Sequence, residues 1–132
     1  MKLHASVTAG LMTITAYDAG FIAVNGHRLT RSFLLTPQRL IDEWSPAGFS
    51  ALDENDFAII ADLGCPVVLL GTGTRQRFPP PALLRPLIER RIGVEVMDSH
   101  AACRTYNILM AEGRDVAAAL IIECPGDPTA AG

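Results

Sequence analysis

The chain has 132 residues, 49% of them apolar and 19% charged, a balance that builds one domain around a real core and excludes wholesale disorder. The net charge of -3 comes without a dense excess of Lys and Arg, so no nucleic-acid footprint is present. The longest apolar run, Val116 to Ile122, falls far short of the roughly 18 residues of a membrane span, and no direct membrane insertion is expected. The opening "MKLHASVTAG" has no apolar block after Lys2 and does not read as a signal peptide, so a cytoplasmic location is expected. Cys65, Cys103 and Cys124 are odd in number and widely spaced, which suits reduced thiols rather than a disulfide framework or a zinc site.

In chain order the first half reads as β-rich. "LMTITAY" (11–17) alternates as a strand does. A turn at 18–20 leads to "FIAV" (21–24). Asn25-Gly26 is a strong hairpin signal, because both residues tolerate positive φ, and "HRLTRSFLLT" (27–36) is expected as the return strand. Its end, Phe33-Leu34-Leu35, lacks alternation and suits burial on both faces. "RLIDEW" (39–44) reads as a short strand, with Trp44 either packed over the sheet or serving as an anchor for a partner.

The second half switches to α/β. "DENDFAIIADLG" (53–64) opens with acids, as helix N-termini do, and places Phe57, Ile60 and Ala61 on one face. "PVVLLG" (66–71) is wholly apolar, as expected for a strand covered on both sides. "PALLRPLIERR" (81–91) has a helical stripe at 83, 84, 87 and 88. Pro86 inside it implies a kink or a start near Leu84. "GVEVMD" (93–98) is a second strand. "SHAACRTYNILMAEG" (99–113) is a helix capped by Asp98 or Ser99, with Ala102, Tyr106, Leu109 and Met110 buried. "DVAAALIIE" (115–123) is a third buried strand. Strands alternating with helices over short connections imply parallel pairing. The expected fold is therefore a single three-layer α/β domain over 1–123. A mixed central sheet carries a parallel C-terminal βαβαβ portion, and an N-terminal antiparallel β layer adds to it. Residues 124–132 read as a flexible tail.

"GTGTRQRF" (71–78) resembles a phosphate loop but fails both nucleotide tests. A Walker loop needs a lysine, and none occurs after Lys2. The dinucleotide fingerprint needs a third glycine, and that position is Gln76. Ligand crevices of parallel sheets nevertheless lie beyond the carboxyl ends of the strands. Gly71, Thr72, Gly73, Arg75, Asp98, His100 and Arg104, with Arg77 nearby, are the candidate rim of a small anion site at loop 71–78 and the start of helix 99–113. The alternative for these residues is chain geometry and a solvated arginine rim. His100 and Cys103 lie three apart on one helix, but nothing supplies an oxyanion hole or an orienting third group. Cys103 suits a packing role and no catalytic residue is assigned. Arg104, Asn107, Glu112 and Arg114 either bond across to the arginine loop or, the preferred reading, fasten helix ends and loops. His4 and His27 are isolated, so neither metal nor cofactor is expected.

The motifs Asp-x-x-Ala-Ala-x-x-Thr-Tyr-Asn at 98–107, Glu-Gly-Arg at 112–114 and Gly-Thr-Gly at 71–73 occur together. The chain over about residues 11 to 122 thereby resembles a family of small domains of unknown function that includes the mitochondrial complex I assembly factor 3 and the adipogenesis-associated domain-containing protein. The resemblance implies a compact three-layer α/β domain with a mixed sheet and no catalytic residues to carry over; the mitochondrial relatives assemble a membrane enzyme by protein contacts, while the start of this chain, without a transit peptide, is expected of a bacterial cytosolic member. Two functions are expected in order: a non-enzymatic interaction or assembly factor for a respiratory or other membrane complex, and a small-molecule (anion) binder or enzyme using loop 71–78 and helix 99–113. A homodimer fits the prevalence of symmetric pairs, although no residue argues for one.

Overall fold

A computed structural model of the chain describes residues 10–45 and 47–123. The expected tail at 124–132, with Cys124, lies outside the described residues.

The N-terminal part folds as a meander of β1 (Ile14–Asp18), β2 (Phe21–Val24) and β3 (His27–Leu29), paired antiparallel in that order. Asn25 and Gly26 both take positive φ, 50° and 83°, the two-residue turn whose twist matches the flanking strands. The expected return strand is split. Phe33–Leu35 forms β4, which leaves the small sheet and joins a second one. The reason is burial. His27 and Arg28 are exposed, whereas Phe33, Leu34 and Leu35 are all buried. An apolar run without alternation needs a sheet covered on both faces.

That second sheet has the order β5-β4-β8-β6-β7, with β5 (Leu40–Ile41), β6 (Val67–Gly71), β7 (Gly93–Met97) and β8 (Val116–Leu120). β6 pairs parallel with both β7 and β8, while β4 runs antiparallel to β5 and β8. The expected parallel βαβαβ portion inside a mixed sheet is present. Helix α1 (Glu54–Ala61) starts with a reciprocal Asp53–Asp56 capping box. The segment containing Pro86 is a 3-10 turn over Pro81–Leu84 followed by α2 (Arg85–Glu89). Proline thus falls in the first turn of α2, where its missing N–H costs no hydrogen bond. Helix α3 (Ser99–Ala111) is capped by Asp98 Oδ1, which accepts from Ala101 N at 2.9 Å.

Strand alternation sorts the core into two layers. Phe33, Leu35, Leu69, Val116, Ala118 and Leu120 face α3 and the small sheet. Leu34, Val68, Leu70, Ala117, Ala119 and Ile121 face α1, α2 and Trp44. Trp44 is 2% exposed, and its Nε1 donates to Asp56 O at 3.0 Å. It is a core residue over the sheet, which overturns its reading as a partner anchor.

Candidate functional site

The carboxyl ends of β6 and β8 and the start of α3 meet at one end of the large sheet. Gly71 ends β6 against the first residue of α3; a Cβ there would stand 2.9 Å from Ser99 Cα, inside any normal contact distance. Thr72 is fully buried. Its N–H donates to Met97 O at 2.9 Å, and its Oγ1 donates to Arg75 O at 2.7 Å and accepts from Arg77 N at 3.0 Å. One hydroxyl thus closes the loop on itself. Gly73 adopts φ +95°, and a side chain there would collide with the Glu123 carboxylate. Gly73 N donates to Ser99 Oγ at 2.8 Å, Ser99 N donates to Gly73 O at 2.9 Å, and Ser99 Oγ donates to Ile121 O at 2.6 Å.

The backbone donors of Thr72, Gly73, Thr74 and Arg77 are therefore all engaged by acceptors of the chain itself. Glu123 lies against this loop, its Oε1 accepting from Thr74 N at 3.4 Å. Its side chain is fully buried and pairs with Arg77 Nη2 at 2.5 Å. Arg77 also donates to Thr72 O at 2.7 Å and lies 4.5 Å over the Phe49 ring. The Gly-Thr-Gly bend is a close-packed junction fastened by an internal ion pair.

Beside it lies a concave site of about 200 Å³, shaped by Asp18, Phe21, Gly73, Asp98, His100 and Glu123 among others. It brings together Gly73, Asp98 and His100 of the expected rim, while Arg75 and Arg104 lie outside its lining. Asp98 is the helix cap. His100 stacks on Tyr17 at 4.6 Å between ring centroids, and its Nε2 lies 3.3 Å from Asp18 O. Arg104 is exposed and donates to the Tyr17 hydroxyl at 3.3 Å. Arg75 is exposed. Sequence reasoning missed Glu123 and the hairpin wall of Asp18 and Phe21. A lone acid ending a wholly apolar strand was the available signal for Glu123; the hairpin's approach left no local trace.

Cys103 is fully buried, and burial pushes its thiol up to about 12. Cys65, whose Sγ lies 3.3 Å from Asp115 Oδ1, is pushed up to about 12, first by burial and then by that carboxylate. Cys103 packs in the core layer with Phe33, Leu69 and Tyr106, in keeping with its expected packing role. Among the described residues, no group of three or more His, Cys, Asp or Glu is placed to hold a metal, and no helix is long and apolar enough to cross a membrane.

Fold and site define a class: a three-layer α/β domain whose parallel strand ends are sealed by an Arg–Glu pair beside a shallow acidic hollow. The chain belongs to the family described as "Protein of unknown function (DUF498/DUF598)", which matches residues 14–121. It is 35% identical over 112 residues to the Bos taurus protein named NADH dehydrogenase [ubiquinone] 1 alpha subcomplex assembly factor 3, covering 83% of this chain and 60% of that one. The Homo sapiens protein of the same name is 31% identical over 115 residues, covering 86% and 62%. The chain thus spans about three fifths of the length of these relatives. A Bordetella parapertussis crystal structure has the same fold, with TM-score 0.81 and 40% identity over 87% of this chain and 98% of that one. A Bordetella pertussis solution structure described as a Mth938-like domain matches with TM-score 0.77 and 33% identity, covering 88% and 89%. A Bartonella henselae structure described as an outer membrane protein matches with TM-score 0.70 and 30% identity, covering 86% and 96%.

Proposed function

We propose that this protein is a non-enzymatic assembly factor that holds a subunit of a respiratory or other membrane enzyme complex through protein contacts. The observation that carries this reading is the 35% identity, over 83% of the chain, to a protein named as an assembly factor. The buried, protonated thiols and the internally engaged loop donors agree with a scaffold rather than a reaction centre. Phe78, Ile88 and Ile108 are large apolar side chains at 71%, 62% and 59% exposure, available to a partner. The setting proposed is the bacterial cytoplasm, in keeping with free Cys65 and Cys103. Deletion of the gene in its native cell, followed by native gel electrophoresis of membrane complexes, tests the reading. The expected result is loss of one mature respiratory complex, with its partly built subcomplexes accumulating. Unchanged levels of every membrane complex would refute it.

A second reading, a small-molecule binder, is favoured by the hollow of about 200 Å³ beside Asp98, His100 and Glu123. A thermal-shift screen with nucleotides, phosphosugars and carboxylates is expected to raise the melting temperature saturably if that reading holds. A flat response across the panel removes it.

A further inference from the structure

β7 forms one edge of the large sheet, and its parallel pairing with β6 determines which backbone groups face outward. Gly93 N donates to Pro66 O and Met97 O accepts from Thr72 N, so residues 93, 95 and 97 turn their backbone groups toward β6. Val94 and Val96 therefore turn theirs toward the open edge. The Gln76 side chain marks this directly: its Nε2 donates to Val96 O at 2.9 Å. A side-chain amide stands where the N–H of a further strand would stand. The opposite edge, β5, is only two residues long, which leaves β7 as the edge of useful length in this sheet among the described residues.

Both ends of this edge carry the same pair of features. Phe78, 71% exposed, lies two residues from Gln76, and exposed Arg75 precedes Gln76 directly. At the other end Arg91, exposed, donates from its N–H to Ile88 O at 3.0 Å, and Ile88 is 62% exposed. Between Thr74 and Arg91 the chain has five arginines and one acid, Glu89. Arg77 and Arg90 engage Glu123 and Asp62, while Arg75, Arg85 and Arg91 extend from the surface. Exposed Glu95 holds the middle of the strand, where a like charge on a paired strand is disfavoured.

We propose that the open edge of β7 receives an extended segment of a partner protein, apolar at its centre and acidic at its ends, which adds as a sixth strand after displacing the Gln76 amide. Strand addition draws affinity from the backbone and selectivity from the flanking side chains; here the arginines at the two ends select the acids, and Phe78 and Ile88 flank the apolar stretch from either end. The inference rests on the assembly-factor reading and names the chemistry of its partner.

The test is a titration of the 15N-labelled full chain, followed by NMR, with a capped heptapeptide Glu-Asp-Val-Thr-Val-Asp-Glu. A Lys-Lys-Val-Thr-Val-Lys-Lys peptide is the charge control. The expected result is saturable shifts at the amides of Val94 and Val96 and at the Gln76 side-chain NH2, with the lysine peptide at least about tenfold weaker. Val94→Pro removes an outward donor while sparing the β6 ladder, and weakens binding by about tenfold. If that variant does not fold, exposed Phe78→Ser serves instead and weakens binding by about fivefold. Shifts absent at millimolar peptide, shifts mapping elsewhere, or equal binding of the lysine peptide overturn the proposal. So does concentration-dependent dimerisation of the free chain that Val94→Pro abolishes, since the occupant would then be a second copy. Failure here leaves the gene-deletion outcome untouched, so the two readings fail separately.

Discussion

Glu123 and Arg77 show how much one side chain decides at the strand ends. The carboxylate is fully buried, accepts from Arg77 at 2.5 Å and also approaches Thr74 N at 3.4 Å. Removing one member of such a pair leaves the other charged in a site built for two. Glu123→Gln is therefore expected to lower unfolding free energy by about 3 kcal/mol, measured by urea denaturation, with loop 72–78 the first segment to lose amide protection. Arg77→Lys is not a conservative change here, because one lysine ammonium cannot at once bond Thr72 O, pair with Glu123 and stack over Phe49. Gly71 and Gly73 were legible as turn residues, but their reason was not: the atoms nearest a side chain there belong to Ser99, 28 positions on from Gly71, and Glu123, 50 on from Gly73.

Between elements, the Thr-Tyr-Asn part of the α3 motif acts as a clasp. Asn107 Oδ1 accepts from Ile14 N at 3.0 Å and its Nδ2 donates to Ile14 O at 2.8 Å, while the Tyr106 hydroxyl donates to Met12 O at 2.7 Å. The small sheet is thereby pinned to α3 where the β1–β2 register shifts between Ile14 and Ala16. Asn107→Ala orphans two backbone groups at once and is expected to cost about 2 kcal/mol. Hydrogen exchange at Ile14 is expected to speed up before exchange in β6 or β8 does. The helices, the hairpin turn and the buried strands β6 and β8 were readable from caps, periodicity and apolar runs. The break between β3 and β4 was not, because 27–36 is continuous in β-forming residues and only the choice of sheet separates its halves. The structural role expected for Asn107 matches its contacts; the stacking of His100 on Tyr17 had no signal in the local sequence.

Across the whole molecule, each of the two core layers buries one thiol. Cys103 sits in the layer under α3 and Cys65 in the layer under α1, and burial holds both thiols at about 12. Tyr106 is raised above its ordinary value, again first by burial. The folded state keeps protons that the unfolded chain releases above its ordinary thiol pKa of 9.0. Stability is therefore fully present below that pH and falls as pH rises from 9.0 toward 12, by up to about 1.4 kcal/mol per pH unit for each thiol. Thermal melts across that range check this, and Cys103→Ala is expected to flatten the decline. At the same scale, α1 and α2 cover one face and α3 with the small sheet the other, and β7 is an edge strand among the described residues.

By itself the sequence determined the alternation of strand and helix, the turns, the burial of β6 and β8 and the family, because these rest on local periodicity, caps and short motifs. Only the tertiary structure decided that Glu123 fills the loop that Gly71 opens, that β4 deserts its hairpin, and that His100 faces Tyr17 rather than Arg75. Each of these depends on contacts between residues far apart in the chain, where no spacing rule reaches and packing alone chooses the neighbour.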